Sequence, residues 1–150
     1  MVRFALDSNI LIYAEGGNDD YRRDLAHQII GSVVPNKILI PIQSASETMN
    51  WLIKKAKIEA NTASRKMNWW LEKFPVQSTS VDVFEGAADL CVAHQLQFFD
   101  SIILASAWVG DAQILLSEDM QDGFKWRGVT VANPFSDKPL KILRDLLGHH

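Results

Sequence analysis

Cysteine occurs once, at Cys91, so no disulfide can form within the chain. Charge of one sign is not in excess either. The formal balance is -3, too mild for a nonspecific grip on nucleic acid, although a total says nothing of a local basic patch. No stretch approaches the roughly 18 uncharged apolar residues that cross a bilayer. The opening "MVRFALDSNILIY" is interrupted by Arg3, Asp7 and Asn9, unlike a signal peptide, and a cytoplasmic protein with no membrane partner is expected. There is no G-x-x-x-x-G-K-[ST] loop, so nucleoside triphosphate chemistry has no support. No Ser, His and acid set stands out. An aspartyl phosphatase would carry a second Asp two residues after its nucleophile, where this chain has Asn9.

What is present suits one domain with one substantial core: 150 residues, 47% of them hydrophobic, without repeats or low-complexity tracts. Residues 1–147 read as that single domain. The terminal "GHH" (148–150) resembles the start of a purification tag, and His149 and His150 are set aside. Short apolar runs alternate with helical patterns. "VRFAL", "KILIP", the weaker "PVQSTS", "AQILLS" and "GVTVANP" read as strands. "YRRDLAHQIIGSVV", "SASETMNWLIKKAKIE", "TASRKMNWWLEKF", "VDVFEGAADLCVAHQL", "FFDSIILASAWV" and a closing "PLKILRDLL" read as helices. The second and third make a helical hairpin, with Ala63, Met67, Trp70, Leu71 and Phe74 on one face. In the fourth, the apolar spacing runs through Phe84, Ala87, Ala88, Cys91 and Val92. This alternation predicts an α/β fold with a mostly parallel sheet covered on both faces. In such a sheet the ligand site lies outside the carboxyl ends of the strands.

Four acids fall at that rim: Asp7 after the first strand, Glu47 just after the second, Asp100 at the head of an apolar helix, and Asp119 after "AQILLS". Asp122 lies in the same turn as Asp119. Each has an ordinary explanation. Asp7, Asp100 and Asp119 could cap helices, and Ser44 with Glu47 has the S-x-x-E spacing of a capping box. Jointly that explanation does worse. Anions sharing a partly desolvated rim repel by several kcal/mol per close pair at an effective dielectric of about 20. A cation would offset the repulsion, and a helix N-terminus keeps a carboxylate in the ionised form that a hard metal needs. Capping and metal binding are therefore compatible. With only oxygen donors, Mg2+ or Mn2+ is favoured over zinc. His27 and His94 sit within helical patterns as surface or packing residues, and Cys91 reads as a small hydrophobe. Such a metal site suits phosphodiester hydrolysis.

These residues resemble the PIN-domain ribonucleases, and among them the VapC-type toxins of toxin-antitoxin pairs. "LDSNILIY" is similar to the family's opening strand with Asp7 and its polar companion Asn9. "SASETMNWL" supplies Glu47, "FFDSIILASA" carries Asp100, and "LLSEDMQDG" followed by "NPF" carries Ser117, Asp119 and Asp122. The departures are Ser8 where threonine is common and Ser101 where alanine is common. The resemblance implies a three-layer fold with a central parallel five-stranded sheet, Mg2+ or Mn2+ dependence, and endonucleolytic cleavage of single-stranded RNA or tRNA. It also implies a homodimer and a cognate antitoxin. By the same resemblance Asp7, Glu47, Asp100 and Asp119 are catalytic and metal-holding. Asp122 would be an outer ligand, with Asn9 and Ser117 orienting carboxylates or water. In-line attack by activated water would leave a 5'-phosphate and a 3'-hydroxyl.

Lys54, Lys55 and Lys57, with Arg65 and Lys66, concentrate positive charge at the bend of the hairpin and are candidate RNA contacts. Trp70 fits the apolar face of the hairpin, whereas Trp69 lies off it and is the candidate partner interface. Two alternatives stand beside the toxin: an RNA-processing nuclease with no antitoxin, and a catalytically silent scaffold of the same fold.

Overall fold

Short segments from across the chain pair into one six-stranded sheet in the computed structural model, which describes residues 2–148. His149 and His150 lie outside the described residues. The strands are β1 (Phe4–Leu6), β2 (Ile38–Pro41), β3 (Val76–Gln77), β4 (Ile114–Leu116), β5 (Lys125–Trp126) and β6 (Val129–Ala132), in the order β3-β2-β1-β4-β6-β5. The first four and β6 run parallel, which gives the expected five-stranded parallel sheet. The short β5 is an antiparallel addition, joined to β6 through Arg127 and Gly128. Both turn residues have positive φ, +48° and +82°, the geometry of the two-residue turn that matches strand twist.

The helices are α1 (Ser8–Ala14), α2 (Asp20–Gly31), α3 (Ile42–Lys54), α4 (Ala60–Lys73), α5 (Val81–His94), α6 (Phe98–Val109) and α7 (Lys141–Leu146). Side chains alternate across a strand, and here both faces are apolar. Phe4, Leu6, Ile38, Ile40, Ile114 and Leu116 enter one core with residues of α1 to α4 and α7. Ala5, Leu39, Leu115 and Val131 enter the other, against Leu90 of α5 and Ile103, Leu104 and Ala107 of α6. Each fully buried Leu or Ile contributes about 1.5–3 kcal/mol. The result is three layers, helix on sheet on helix, with the strands too short to carry much else.

The hairpin formed by α3 and α4 buries Ala63, Met67, Trp70 and Phe74 as the spacing predicts, while Leu71 stays half-exposed. On α5 the expected apolar face is rotated. Val83, Gly86, Ala87 and Leu90 are buried, whereas Phe84 is 55% and Val92 86% exposed. The reason is close packing against α6. A Cβ at Gly86 would stand 3.2 Å from the rings of Trp108 and Trp126 and 3.3 Å from Ala105, so the small residues, not the large ones, face inward. Helix α6 is buried without interruption from Ser101 to Ala107, which explains its apolar composition: it is the middle of the second layer.

Candidate active site

The chain leaves β1 to build β2 and β3 on one side and returns to build β4 on the other, so the strand order reverses beside β1. Asp7 ends β1 at this switch point, where open parallel sheets form their ligand sites. Its amide donates to the Leu116 carbonyl at 3.0 Å, fixing it beside β4. Asp7 caps α1, accepting from the Ser8 amide at 2.7 Å. Its second oxygen accepts from Ser117 Oγ at 2.7 Å and from Asn9 Nδ2 at 3.4 Å. The side chain is only 2% exposed. Burial, the dominant cause, pushes its carboxyl from 3.8 to about 7 against the Ser117 and Ser8 hydrogen bonds, and the charges of Asp100 and Glu47 add to the rise.

Glu47 does not complete a capping box. Helix α3 begins at Ile42 with Pro41 as its cap, because the turn follows directly on β2, and this places Ser44 and Glu47 inside the helix. Ser44 Oγ is buried with no partner among the described residues. Glu47 instead accepts from Ser8 Oγ and from Gln43 Nε2, each at 2.9 Å. Ser8 thus links Asp7 to Glu47, a role that "LDSN" does not advertise. The Gln43 contact has the i to i+4 spacing of a helix surface and was legible in principle.

Asp100 does not cap α6 either. Gln97 is the cap, and its side chain accepts from the Asp100 amide at 2.9 Å. The Asp100 carboxylate is thereby released from structural work and has no hydrogen-bond or ion-pair partner among the described residues. Desolvation raises its pKa, with the charges of Asp119 and Glu47 adding to the rise. Asp119 caps no helix, since an irregular turn follows β4. Its amide and that of Met120 both donate to Ser117 Oγ at 3.2 Å, which leaves the Asp119 carboxylate exposed and unpartnered among the described residues.

Asp7 therefore feels the charges of Asp100 and Glu47, and Asp100 those of Asp119 and Glu47. None of the four pairs with Lys or Arg among the described residues. Among those residues, no three acidic, histidine or cysteine side chains close into a ready-made cation cage. The donor set itself fits a hard cation: every candidate atom is a carboxylate oxygen, and two of the four carboxylates have no partner among the described residues. Asp122, unlike Asp100 and Asp119, has a structural partner. Its carboxylate accepts from the Asn133 amide at 2.8 Å and so ties the turn to the end of β6.

The residues set aside as structural have structural contacts. His27 Nε2 meets the Ala14 carbonyl at 2.7 Å, the His94 ring packs edge-on against Phe124, and Cys91 Sγ donates to the Leu96 carbonyl. Lys54, Lys55, Lys57 and Arg65 are exposed, but Lys66 pairs with Glu15 at 3.3 Å. Lys54 lies seven residues beyond Glu47 on α3, roughly 10 Å along the helix. The basic bend flanks the acids without joining them.

The PIN domain family model matches residues 4–124, from β1 through the turn after β4. The chain belongs to the PIN domain family. No curated protein matches the sequence. Among solved structures, this PIN domain is similar to VapC20 of Mycobacterium tuberculosis, a Sarcin-Ricin loop cleaving toxin, at 18% identity and a TM-score of 0.65, over 77% of this chain and 91% of that one. It is similar to a toxin-antitoxin complex from Klebsiella pneumoniae at 25% identity and a TM-score of 0.65, over 84% and 94%. It also resembles VapBC2 of Rickettsia felis, bound to a DNA fragment from its promoter, at 15% identity and a TM-score of 0.62, over 85% and 96%. Its three-layer fold is that of a PIN domain. Among the described residues no helix is long and apolar enough to cross a membrane.

Proposed function

We propose that residues 1–147 form one nuclease domain, a Mg2+- or Mn2+-dependent endoribonuclease acting on single-stranded RNA or tRNA in the cytoplasm. In this reading it is the toxin of a VapBC-type pair. The observation that carries the proposal is the set of Asp7, Glu47, Asp100 and Asp119 at the switch point, none of which pairs with Lys or Arg among the described residues. A silent scaffold would gain nothing from crowding these carboxylates, whereas a cation would offset their repulsion.

A bound divalent ion would polarise a phosphoryl oxygen and lower the pKa of a bound water. The four acids would hold it. Ser117 Oγ and Asn9 Nδ2 fix the direction of one Asp7 oxygen, the Ser8 amide fixes the other, and Ser8 with Gln43 fixes Glu47. Asp100 and Asp119, free of such contacts, are available to turn toward substrate or ion.

Partners are supported by three surfaces. Trp69, 51% exposed, lines a groove of about 490 Å3 between α4 and the α1–α2 pair, with Glu15, His27, Ile30, Trp70 and Lys73. This groove suits an apolar segment of a cognate antitoxin, in keeping with the toxin-antitoxin complexes that share the fold. The exposed Val81, Phe84 and Val92 of α5, with Phe98 and Phe99 of α6, form an apolar face suited to a second copy of the chain. The basic bend would contact RNA phosphates.

The test is cleavage of a mixed RNA pool by the antitoxin-free protein with Mg2+, with Mn2+ and with EDTA, beside Asp100→Asn. Metal-dependent cutting that disappears in the variant is expected. Folded protein that cuts with neither metal, or an Asp100→Asn protein that cuts as fast as wild type, would contradict the proposal.

A further inference from the structure

Between Ser117 and Asp119 stands a fifth acid, Glu118, whose side chain, unlike those of the other four, is paired with a cation of the chain. One carboxylate oxygen accepts from the Tyr13 hydroxyl at 2.5 Å, and the other accepts from Arg22 Nε at 2.7 Å and pairs with Arg22 Nη2 at 2.7 Å. Arg22 is itself held on α2. Its Nη1 reaches Asp19 Oδ2 at 2.8 Å, and its guanidinium lies over the rings of Tyr13 and Phe135, 5.7 and 5.2 Å from their centroids. The Glu118 backbone meanwhile faces the site: its amide donates to Asn9 Oδ1 at 3.4 Å, and Asn9 donates to Asp7. A single residue therefore joins α1, α2 and the turn after β4, with its amide on Asn9 beside Asp7 and its carboxylate held by Tyr13 and Arg22.

We propose that Glu118, clamped by Arg22 and Tyr13, is a positioning residue that sets the rotation of the Ser117–Asp119 turn. The clamp presents Asp119 and the Ser117 hydroxyl to the metal-holding acids and keeps Glu118 from competing for the same place. Adjacent residues share one backbone, so holding the Glu118 side chain through Tyr13 and Arg22 and its amide through Asn9 restricts how the neighbouring Asp119 can turn. An irregular turn has no helix or strand ladder to hold it. A forked guanidinium contact supplies the direction that a point charge would not. The proposal rests on the reading of the four acids as a cation site, and its test separates the two.

The test is Mn2+ binding to the full, metal-free chain by isothermal titration calorimetry, for wild type, Arg22→Lys and Arg22→Gln. Circular dichroism establishes that each variant is folded. Arg22→Lys keeps the charge and loses the fork, whereas Arg22→Gln loses both. By charge alone, removing a cation near the site would tighten Mn2+ binding, so positioning and electrostatics predict opposite signs for Arg22→Gln. The expected result is weaker binding in both variants, about tenfold for Arg22→Gln, with the RNA cleavage rate recovering at saturating Mn2+. Unchanged binding in Arg22→Lys together with tighter binding in Arg22→Gln would overturn the proposal. If Arg22→Gln does not fold, Arg22→Lys decides alone: weaker binding supports the clamp and wild-type binding refutes it. Wild type that binds no Mn2+ would instead remove the cation site on which the proposal stands.

Discussion

Two groups of carboxylates flank the turn after β4, and the protein treats them in opposite ways. Asp19 and Glu118 surround Arg22 and are supplied with donors. The Asp19 pKa is lowered, first by the Arg22 amide that it caps and then by the guanidinium. Asp7, Glu47, Asp100 and Asp119 receive hydroxyls, amides or nothing, and the pKa values of Asp7 and Asp100 are raised. The two groups meet at neighbouring residues, Glu118 and Asp119. The first group has its counter-ion in Arg22, whereas the second has no Lys or Arg partner among the described residues, as the proposed cation site requires. This contrast is more informative than the count of acids, because Asp122, which sequence alone groups with Asp119, has a structural partner in the Asn133 amide.

The contrast breaks most visibly in catalysis. Asp100→Asn should lower the rate of RNA cleavage by on the order of a hundredfold or more, since the acid has no structural contact to lose and its loss falls on phosphoryl-transfer chemistry. Initial rates on folded variant and wild type check this. Rates that agree within a factor of two would place Asp100 with the structural acids.

The next effect is on stability. Asp7 is neutral-favouring in the fold, with its pKa raised from 3.8 to about 7, so its contribution is best at low pH and is lost as pH rises through that window. Metal-free Asp7→Asn should therefore equal wild type below about pH 4 and exceed it increasingly up to pH 7. At about 1.4 kcal/mol per pKa unit, the ceiling is about 4 kcal/mol. Urea melts across pH measure it, and a difference that does not vary with pH would show that the burial of Asp7 is not the cause. Smaller again, Trp69→Ala should weaken binding of the cognate antitoxin by about 2 kcal/mol, as expected for an exposed aromatic anchor, without altering RNA cleavage by the free protein. Equal affinity in a binding titration would move the interface elsewhere. The least effect is expected for Lys54, Lys55 and Lys57 changed together to Ala: a few-fold loss of RNA affinity. The salt dependence should become shallower by about 0.7 in slope for each phosphate contact removed.

Much of the scaffold was legible because it rests on local pattern. Five strands, the hairpin face through Met67 and Trp70, and the positions of Asp7 and Asp119 just after strands follow from periodicity and punctuation. The misreadings arose where tertiary packing decides. Helical spacing puts Phe84 and Val92 on one face with Ala87, but the buried face turns toward Val83, Gly86 and Leu90, because α6 admits only a small residue at Gly86. The capping assignments for Asp100 and Glu47 gave way to Gln97 and Pro41, because a cap is set by the residue at which the backbone turns helical, and boundaries are the least periodic part of a helix. The Arg22 to Glu118 clamp was illegible for a simpler reason: it joins residues 96 apart, and no local rule pairs them.

Mn2+ binding to the metal-free protein, measured by calorimetry for wild type and for Asp7→Asn, Glu47→Gln, Asp100→Asn and Asp119→Asn, tests the central claim most directly. Wild type should bind Mn2+, and each substitution should weaken that binding, while Asp122→Asn leaves it near the wild-type value. Wild type that binds no Mn2+, or binding that survives all four substitutions, would mean that the crowded acids at the switch point are not a cation site.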